Sequence, residues 1–371
     1  MLSGIYHTIY DRLVNVFDLK NREIYQHEHT TAIVSDPYYL KHIPGKSHPE
    51  HPVRCTVIDQ AIQSIASKRL MKIEPRKAID EEILLCHDAR YLEIVKENFE
   101  CLRKTPPQHH AVNRYGVFWQ GIEACSKKPY SINGGKTFFL STGDVDICPE
   151  SLEVARLAVG GALKTVDAVF EGKVNNAFCV VRPPGHHACK DRGMGFCIFN
   201  NTAIAARYAQ KKYNIKRVLI VDWDVHHGNG TQNIFEEDPS VFYFSTHHRF
   251  LYPGTGREEE TGKGNILNCP IMPRLKNPRE EIFKAFDNKL LKSMEHFKPE
   301  LVIISCGFDA HKNDPLGGFN LTDQDYVELT QRVMHIADKY AQGRLVSVLE
   351  GGYNVEVLGP IAKIHVETLL G

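Results

Sequence analysis

Six stretches of this chain are apolar almost without a break: TTAIVS (30–35), NAFCVV (176–181), RVLIVDWD (217–224), VFYFSTH (241–247), LVIISC (301–306) and RLVSVLE (344–350). A strand with one face in water alternates apolar and polar side chains. A strand covered by helices on both faces has no need to alternate. Segments of helical periodicity separate the runs: 151–170, read as capped by Ser151, then 201–213, 279–297 and a stretch near 323–340. Strand then helix, repeated, predicts an α/β fold, a single-domain open parallel sheet flanked by helices. Ligands of such sheets bind beyond the C-terminal ends of the strands. Chemistry is therefore expected in the residues just after each run.

The bulk numbers remove several classes of function. Lys+Arg and Asp+Glu are both 45 in 371 residues, so the formal net charge is zero. No basic excess points to nucleic acid, and nothing points to an acidic ligand. The ten cysteines form no CxxC pair, and Cys179 and Cys306 sit inside apolar runs. They read as small buried hydrophobes in a reducing compartment. The first residues are not a secretory signal, because Asp11, Arg12, Asp18 and Lys20 interrupt them. No run approaches the ~18 apolar residues of a membrane span. These features predict a cytoplasmic protein. Ile5, Ile9, Leu13 and Phe17 recur at helical spacing. Residues 1–29 are read as a helical extension packed on the body, and 30–371 as one domain. The region 103–135, with KTPPQHH and SINGGK, reads as surface loop.

Four strand ends carry reactive side chains. After NAFCVV comes RPPGHHACKDRGMGFC, with His186 and His187 adjacent. Neighbouring side chains in extended backbone point to different sides, which predicts two separate jobs at one place. After RVLIV comes DWDVHHGNG, where Asp224 and His226 are two apart and would share a face if the strand continued. After LVIISC comes Asp309 in GFDAHKNDPLGG, and after RLVSVLE comes Tyr353 in GGYN. Two carboxylates and an imidazole suit zinc or another first-row divalent ion. Three ligands with an open position describe a catalytic metal rather than a structural one. Each piece has a plainer reading: a surface Asp-x-His, a helix-capping Asp, a Tyr anchoring a turn. Their joint occurrence at strand ends argues against coincidence.

RPPGHHA, GFCIFNN, VDWDVHHGNGTQ, YPGTG, GFDAHKNDPLGG, LEGGYN and HPEHPVR together resemble the zinc-dependent histone deacetylase family. The forms of DWDVHHGNG and LEGGYN resemble its class II branch and the bacterial deacetylase-like amidohydrolases. The resemblance implies the arginase–deacetylase fold, with a parallel sheet of about eight strands. It makes Asp224, His226 and Asp309 the zinc ligands. It makes His187 the general base and acid, His186 its electrostatic partner, and pairs Asp222 with His186 and Asn229 with His187. Some relatives carry Asp where this chain has Asn229; a neutral amide leaves the histidine less basic. Tyr353 would donate to the oxyanion. One class II subgroup has His there and is weak on acetyl-lysine, so Tyr353 implies a competent deacetylase. Phe196 and Tyr252 match the aromatics lining an acyl-lysine tunnel, Tyr252 departing from the more usual Phe. Gly195 would offer its carbonyl to the substrate amide, and Arg54 matches a residue beside an internal cavity. Potassium is implied at Asp222, Ser245 and Thr246 with backbone near Asp224 and His226, and a second ion near Phe235, Asp238 and Val241.

The implied partner is an acyl-lysine protein or peptide, with neither nucleic acid nor membrane. Two other activities exist on the same fold. Arginase-type dinuclear sites need further bridging carboxylates, where this chain has Gly228 and His311. Acetylpolyamine hydrolases place an acidic gatekeeper where this chain has Leu316. A non-catalytic binding module is disfavoured because every matched catalytic position holds a competent residue.

Overall fold

The computed structural model describes residues 28–44, 48–104, 143–272 and 277–371, with short strand pieces between 110 and 138. The expected extension therefore lies outside the described residues up to position 27. Eight strands form one all-parallel sheet: β1 Thr31–Val34, β2 Leu70–Ile73, β3 Asn176–Cys179, β4 Val218–Asp222, β5 Val241–His248, β6 Ile266–Ile271, β7 Leu301–Cys306 and β8 Leu345–Leu349. Their spatial order is β6-β5-β4-β7-β8-β3-β1-β2. Every residue of β1, β3, β4, β5, β7 and β8 is buried, which is why these strands read as unbroken apolar runs. The two strands that the apolar runs do not reveal, β2 and β6, are the sheet edges. Their partly exposed residues, such as Lys72 in β2, dilute the apolar signal.

The topology decides where the site lies. The four strands whose ends carry chemistry, β4, β7, β8 and β3, are consecutive neighbours at the centre of the sheet. Because they are parallel, their C-terminal ends emerge on one edge. Helices Ser151–Phe170, Asn201–Tyr213, Asp323–Tyr340 and Val355–Leu370 link or follow these strands. The helical stretch expected at 279–297 runs from Pro278 to Phe297 and contains a π-helical segment at Ala285–Leu290.

Two expectations need correction. Ser151 is the first residue inside its helix, and Glu150 stands at the cap without a side-chain bond. The Ser151 hydroxyl instead accepts from the Cys148 amide at 2.8 Å and lies 2.7 Å from His42 Nδ1. The region 103–135 is not loop throughout. Residues His110–Asn113 and Gly116–Trp119 form an antiparallel pair, and Tyr130–Ser131 pairs with Thr137–Phe138. Its Pro, Gly and Asn content hid short segments rich in strand-favouring residues such as Val112, Val117 and Phe118.

Buried histidines give the fold a pH signature. His365 lies between Thr330 Oγ1 at 2.8 Å and Ser347 Oγ at 2.9 Å, and burial pushes it down to about 3. His87 faces the Cys189 carbonyl with Nδ1 and accepts the Asn200 amide with Nε2, and burial pushes it down to about 4. A histidine lowered by folding stays neutral in the native state while the unfolded chain takes up a proton below pH ~6.5. Stability is therefore fully present above that pH and is lost as pH falls toward the native values. Urea unfolding between pH 6.5 and 5 should show this loss. His365→Asn should reduce its slope by roughly 1 kcal/mol per pH unit, approaching the one-proton limit of about 1.4 near pH 5; an unchanged slope would contradict the assignment.

Candidate active site

Strand β4 stops at Asp222, so Asp224 and His226 are not on a continuing strand as their spacing suggested. A turn brings them together instead. Asp222 Oδ1 accepts the Asp224 amide at 3.2 Å, and Asp224 Oδ1 accepts the His226 amide at 2.9 Å. Asp309 arrives from the end of β7. His226 Nδ1 lies 3.0 Å from Asp224 Oδ1 and 3.1 Å from Asp309 Oδ2. The three side chains offer ligand atoms that all fall within 4.8 Å of one another, and among the described residues they are the one such cluster. The other oxygens are held by backbone: Asp309 Oδ1 accepts from Val225 at 2.8 Å and Asp224 Oδ2 from Gly351 at 2.8 Å.

These residues fit a divalent ion. Zinc bonds of about 2.0–2.2 Å in tetrahedral geometry set ligand atoms about 3.3–3.6 Å apart, a little wider than the 3.0 and 3.1 Å from His226 Nδ1 to the two carboxylates. Burial, and then the Asp224 charge, raise the Asp309 carboxyl above its ordinary range. That is charge crowding a cation relieves. Two glycines keep the space open. A Cβ at Gly307 would sit 2.2 Å from Asp224 Oδ2, and one at Gly351 would sit 2.1 Å from Asp309 Oδ2.

His186 and His187 do not diverge as extended backbone would make them. They lie in a turn with rings 4.0 Å apart, centroid to centroid. Their partners differ. His186 Nδ1 is 3.1 Å from Asp222 Oδ2, which also accepts from the Tyr243 hydroxyl at 3.0 Å. His187 Nδ1 is 2.8 Å from Asn229 Oδ1. The Asn229 amide nitrogen faces two sulfurs, Met194 Sδ at 3.1 Å and Cys189 Sγ at 3.4 Å, so its oxygen is left for His187. An acceptor at Nδ1 fixes the proton there and leaves Nε2 with its lone pair. The environments push the pair apart. Burial opposes charge on His186, but the carboxylates of Asp222, Asp224 and Glu350 outweigh it and raise the imidazole to about 10. Burial, with charge on His186 and His226, drives His187 well below its ordinary value.

The remaining positions lie around this centre. The His187 ring is 6.0 Å from His226 and edge-on to Tyr252 at 5.0 Å. Gly195 and Phe196 both adopt left-handed backbone, φ 56° and 69°. At Gly195 a Cβ would meet the His187 ring at 2.3 Å, so only glycine fits that approach. Phe196 is edge-on to Tyr353 at 6.1 Å and to His48 at 4.4 Å. The Tyr252 hydroxyl donates to Asp144 Oδ2 at 2.5 Å, an aromatic–acid contact the sequence did not disclose. Burial raises the Tyr353 phenol well above its ordinary value, so its hydroxyl keeps the proton. Arg54 lies 4.9 Å over the Tyr353 ring and donates to the Gly352 carbonyl and to Glu50. Leu316 is half-buried, its amide donating to Asp314.

The expected potassium positions divide. Ser245 stands opposite Asp222 in the β4–β5 register, beside buried Thr246. His247 Nε2 faces the Gly256 carbonyl at 2.9 Å and so carries the proton. Its Nδ1 then accepts from Ser245 at 2.9 Å, leaving the hydroxyl oxygen with lone pairs suited to a cation. At the second position, the carbonyls of Phe235, Asp238 and Val241 converge on the Asn265 amide nitrogen at 2.9, 3.0 and 2.8 Å. That amide brings two N–H groups to three carbonyl oxygens.

Gly351→Ala tests the open space around Asp224 and Asp309. Its methyl group would displace both carboxylates, and divalent-metal affinity should fall by at least about 100-fold, the scale seen for disturbed ligand positioning. Metal content after dialysis against a graded chelator measures it. Undiminished affinity would contradict the ligand set.

The histone deacetylase domain profile matches residues 48–369. A polyamine deacetylase, HDAC10 of Danio rerio, is 38% identical over 331 residues, covering 87% of this chain and 44% of that protein. A protein of Archaeoglobus fulgidus named "Probable deacetylase" is 36% identical over 343 residues, covering 91% of this chain and 85% of that protein. This chain thus spans less than half of the HDAC10 protein but most of the archaeal one. Among solved structures, the HDA15 HD domain superposes with a TM-score of 0.76 at 33% identity, covering 93% of this chain and 89% of that one. With its parallel sheet and its cluster of Asp224, His226 and Asp309, the chain belongs to the histone deacetylase family of hydrolases.

Proposed function

We propose that this protein is a zinc-dependent deacetylase that hydrolyses the amide of acyl-lysine side chains in proteins or peptides. The observation that carries the reading is the pair of histidines in ring contact, held by different partners, beside a three-ligand cluster. Zinc held by Asp224, His226 and Asp309 would polarise the amide carbonyl and acidify the attacking water. His187, neutral and with its Nε2 lone pair free, accepts the proton from that water. It then returns the proton to the departing lysine amine. Charged His186, paired with Asp222, adds positive potential on one side of the reaction. The Tyr353 hydroxyl donates to the carbonyl oxygen as it becomes an oxyanion. Phe196 and Tyr252 flank the approach, and their ring faces suit a slim aliphatic stem.

Uncharged Leu316 offers no counter-charge to a polyamine ammonium, which favours a peptide substrate. The rival reading, an acetylpolyamine substrate, rests on the same chemistry and on the HDAC10 relatives. A potassium ion at Asp222, Ser245 and Thr246 would brace the β4–β5 end of the site. The cytoplasm is the compartment that suits the eight described cysteines, all free and buried. No helix among the described residues is long and apolar enough to cross a membrane.

Tyr353→Phe should lower kcat by roughly 10²- to 10³-fold, the scale for losing one oxyanion donor. The KM should move little and zinc content should be retained, because the phenol is not a ligand. Near-normal turnover would leave Tyr353 as a turn anchor only. Steady-state kinetics on acetyl-lysine peptides and acetylpolyamines should give the higher kcat/KM for the peptides. The reverse order would replace the substrate assignment while keeping the chemistry.

A further inference from the structure

Directly after β8, Glu350 is fully buried, yet none of its side-chain hydrogen bonds goes to a Lys or Arg. Its carboxylate crosses to the turn that follows the neighbouring strand β3. There Oε2 accepts the Gly185 amide at 2.7 Å and the His186 amide at 3.1 Å. The other oxygen accepts the Thr202 hydroxyl at 3.3 Å, and Thr202 in turn accepts from Ser305 at 3.2 Å. The next residue, Gly351, donates its amide to Asp224 Oδ2, and Tyr353 lies two residues further on. One short segment therefore holds the histidine turn with a side chain and a ligand carboxylate with its backbone.

The carbonyls of the turn are held from elsewhere, His186 accepting the Gly230 and Thr231 amides at 3.0 and 3.1 Å and Gly185 accepting the Ala188 amide at 3.0 Å, whereas its Gly185 and His186 amides are met by Glu350. Gly185 packs so closely that a Cβ there would meet the Asn201 amide nitrogen at 2.5 Å. Two successive buried amides pointing one way need an acceptor, because leaving them unmet is strongly unfavourable. One carboxyl oxygen takes both at once. A neutral acceptor of the same reach, glutamine, can still place its oxygen on the two amides and turn its nitrogen to the Thr202 hydroxyl, which can accept.

We propose that Glu350 is a positioning residue that clamps the Gly185–His186 backbone and so sets His186 and His187 against the metal ligands. This rests on the deacetylase reading for its kinetic consequence but not for its structural one. Glu350→Met keeps the length and removes the acceptor. It should lower kcat by about 100-fold, the scale of a one-ångström misplacement of a catalytic group, with KM and zinc content near normal. Glu350→Gln should stay within about ten-fold of the parent kcat, recovering most of the loss.

Amide hydrogen exchange at Gly185 and His186 is read on the same zinc-loaded proteins without substrate. It should speed up by at least about ten-fold in Glu350→Met and stay near the parent rate in Glu350→Gln. Unchanged exchange and kcat in Glu350→Met would overturn the clamp. Equal damage in both variants would also overturn it, leaving the charge rather than the acceptor as what matters. If Glu350→Met does not fold, Glu350→Gln alone decides: faster exchange at these two amides counts against the proposal and parent-like exchange supports it. Absence of turnover in the parent protein would count against the deacetylase reading and leave the exchange result standing.

Discussion

Two aspartates are interlocked with the backbones of their neighbouring strand ends, and the centre depends on that lock. Gly351, beyond β8, donates to Asp224 beyond β4, and Val225, beyond β4, donates to Asp309 beyond β7. Each bond uses one carboxylate oxygen and leaves the other turned toward His226. Because β4, β7 and β8 are adjacent and parallel, three separate stretches of sequence are tied at one point of one edge. Burying two carboxylates this way is costly unless each is hydrogen-bonded and paired. The amides supply the first requirement, and a cation would supply the second.

The surroundings extend the same logic to charge. Glu50 is fully buried between Arg54 and Arg182, with bonds of 3.0, 2.8 and 2.7 Å, and although burial opposes its charge, Arg182 and then His42 hold it well below the ordinary carboxylate range. Arg182 opens the histidine turn in sequence, and Arg54 covers the Tyr353 ring. One ion network thus braces both the histidine turn and the Tyr353 ring. Breaking such a pair by removing one partner is strongly destabilising because a buried charge is left unmet. On the opposite side, Asn229 is oriented by sulfur atoms. Soft acceptors around its amide nitrogen are compatible with Asn there and would offer less to a carboxylate.

Much of this was legible in the sequence because burial on both faces leaves a plain mark. The six apolar runs were strands, and the four bearing chemistry were neighbours. The edge strands β2 and β6 were not legible, since Lys72 and Asn268 read as polar interruptions. The clustering of Asp224, His226 and Asp309 was anticipated from residue type and place, but for a partly wrong geometric reason. A turn, not a continuing strand, joins Asp224 to His226. The adjacency of His186 and His187 suggested two tasks; the structure gives them distinct partners and opposite shifts and places their rings together. Glu350 and Asp144 were missed because an acid at a strand end or in a loop has no distinguishing pattern. Only the fold shows what each one reaches.

A single mononuclear centre is the claim on which the other roles rest. Anomalous diffraction at the zinc edge, from crystals grown with excess zinc, tests it most directly. The account predicts one strong peak per chain, bounded by Asp224, His226 and Asp309, with one coordination position open to solvent or substrate. No peak at that point, or two peaks about 3.5–4 Å apart as in a dinuclear hydrolase, would contradict it.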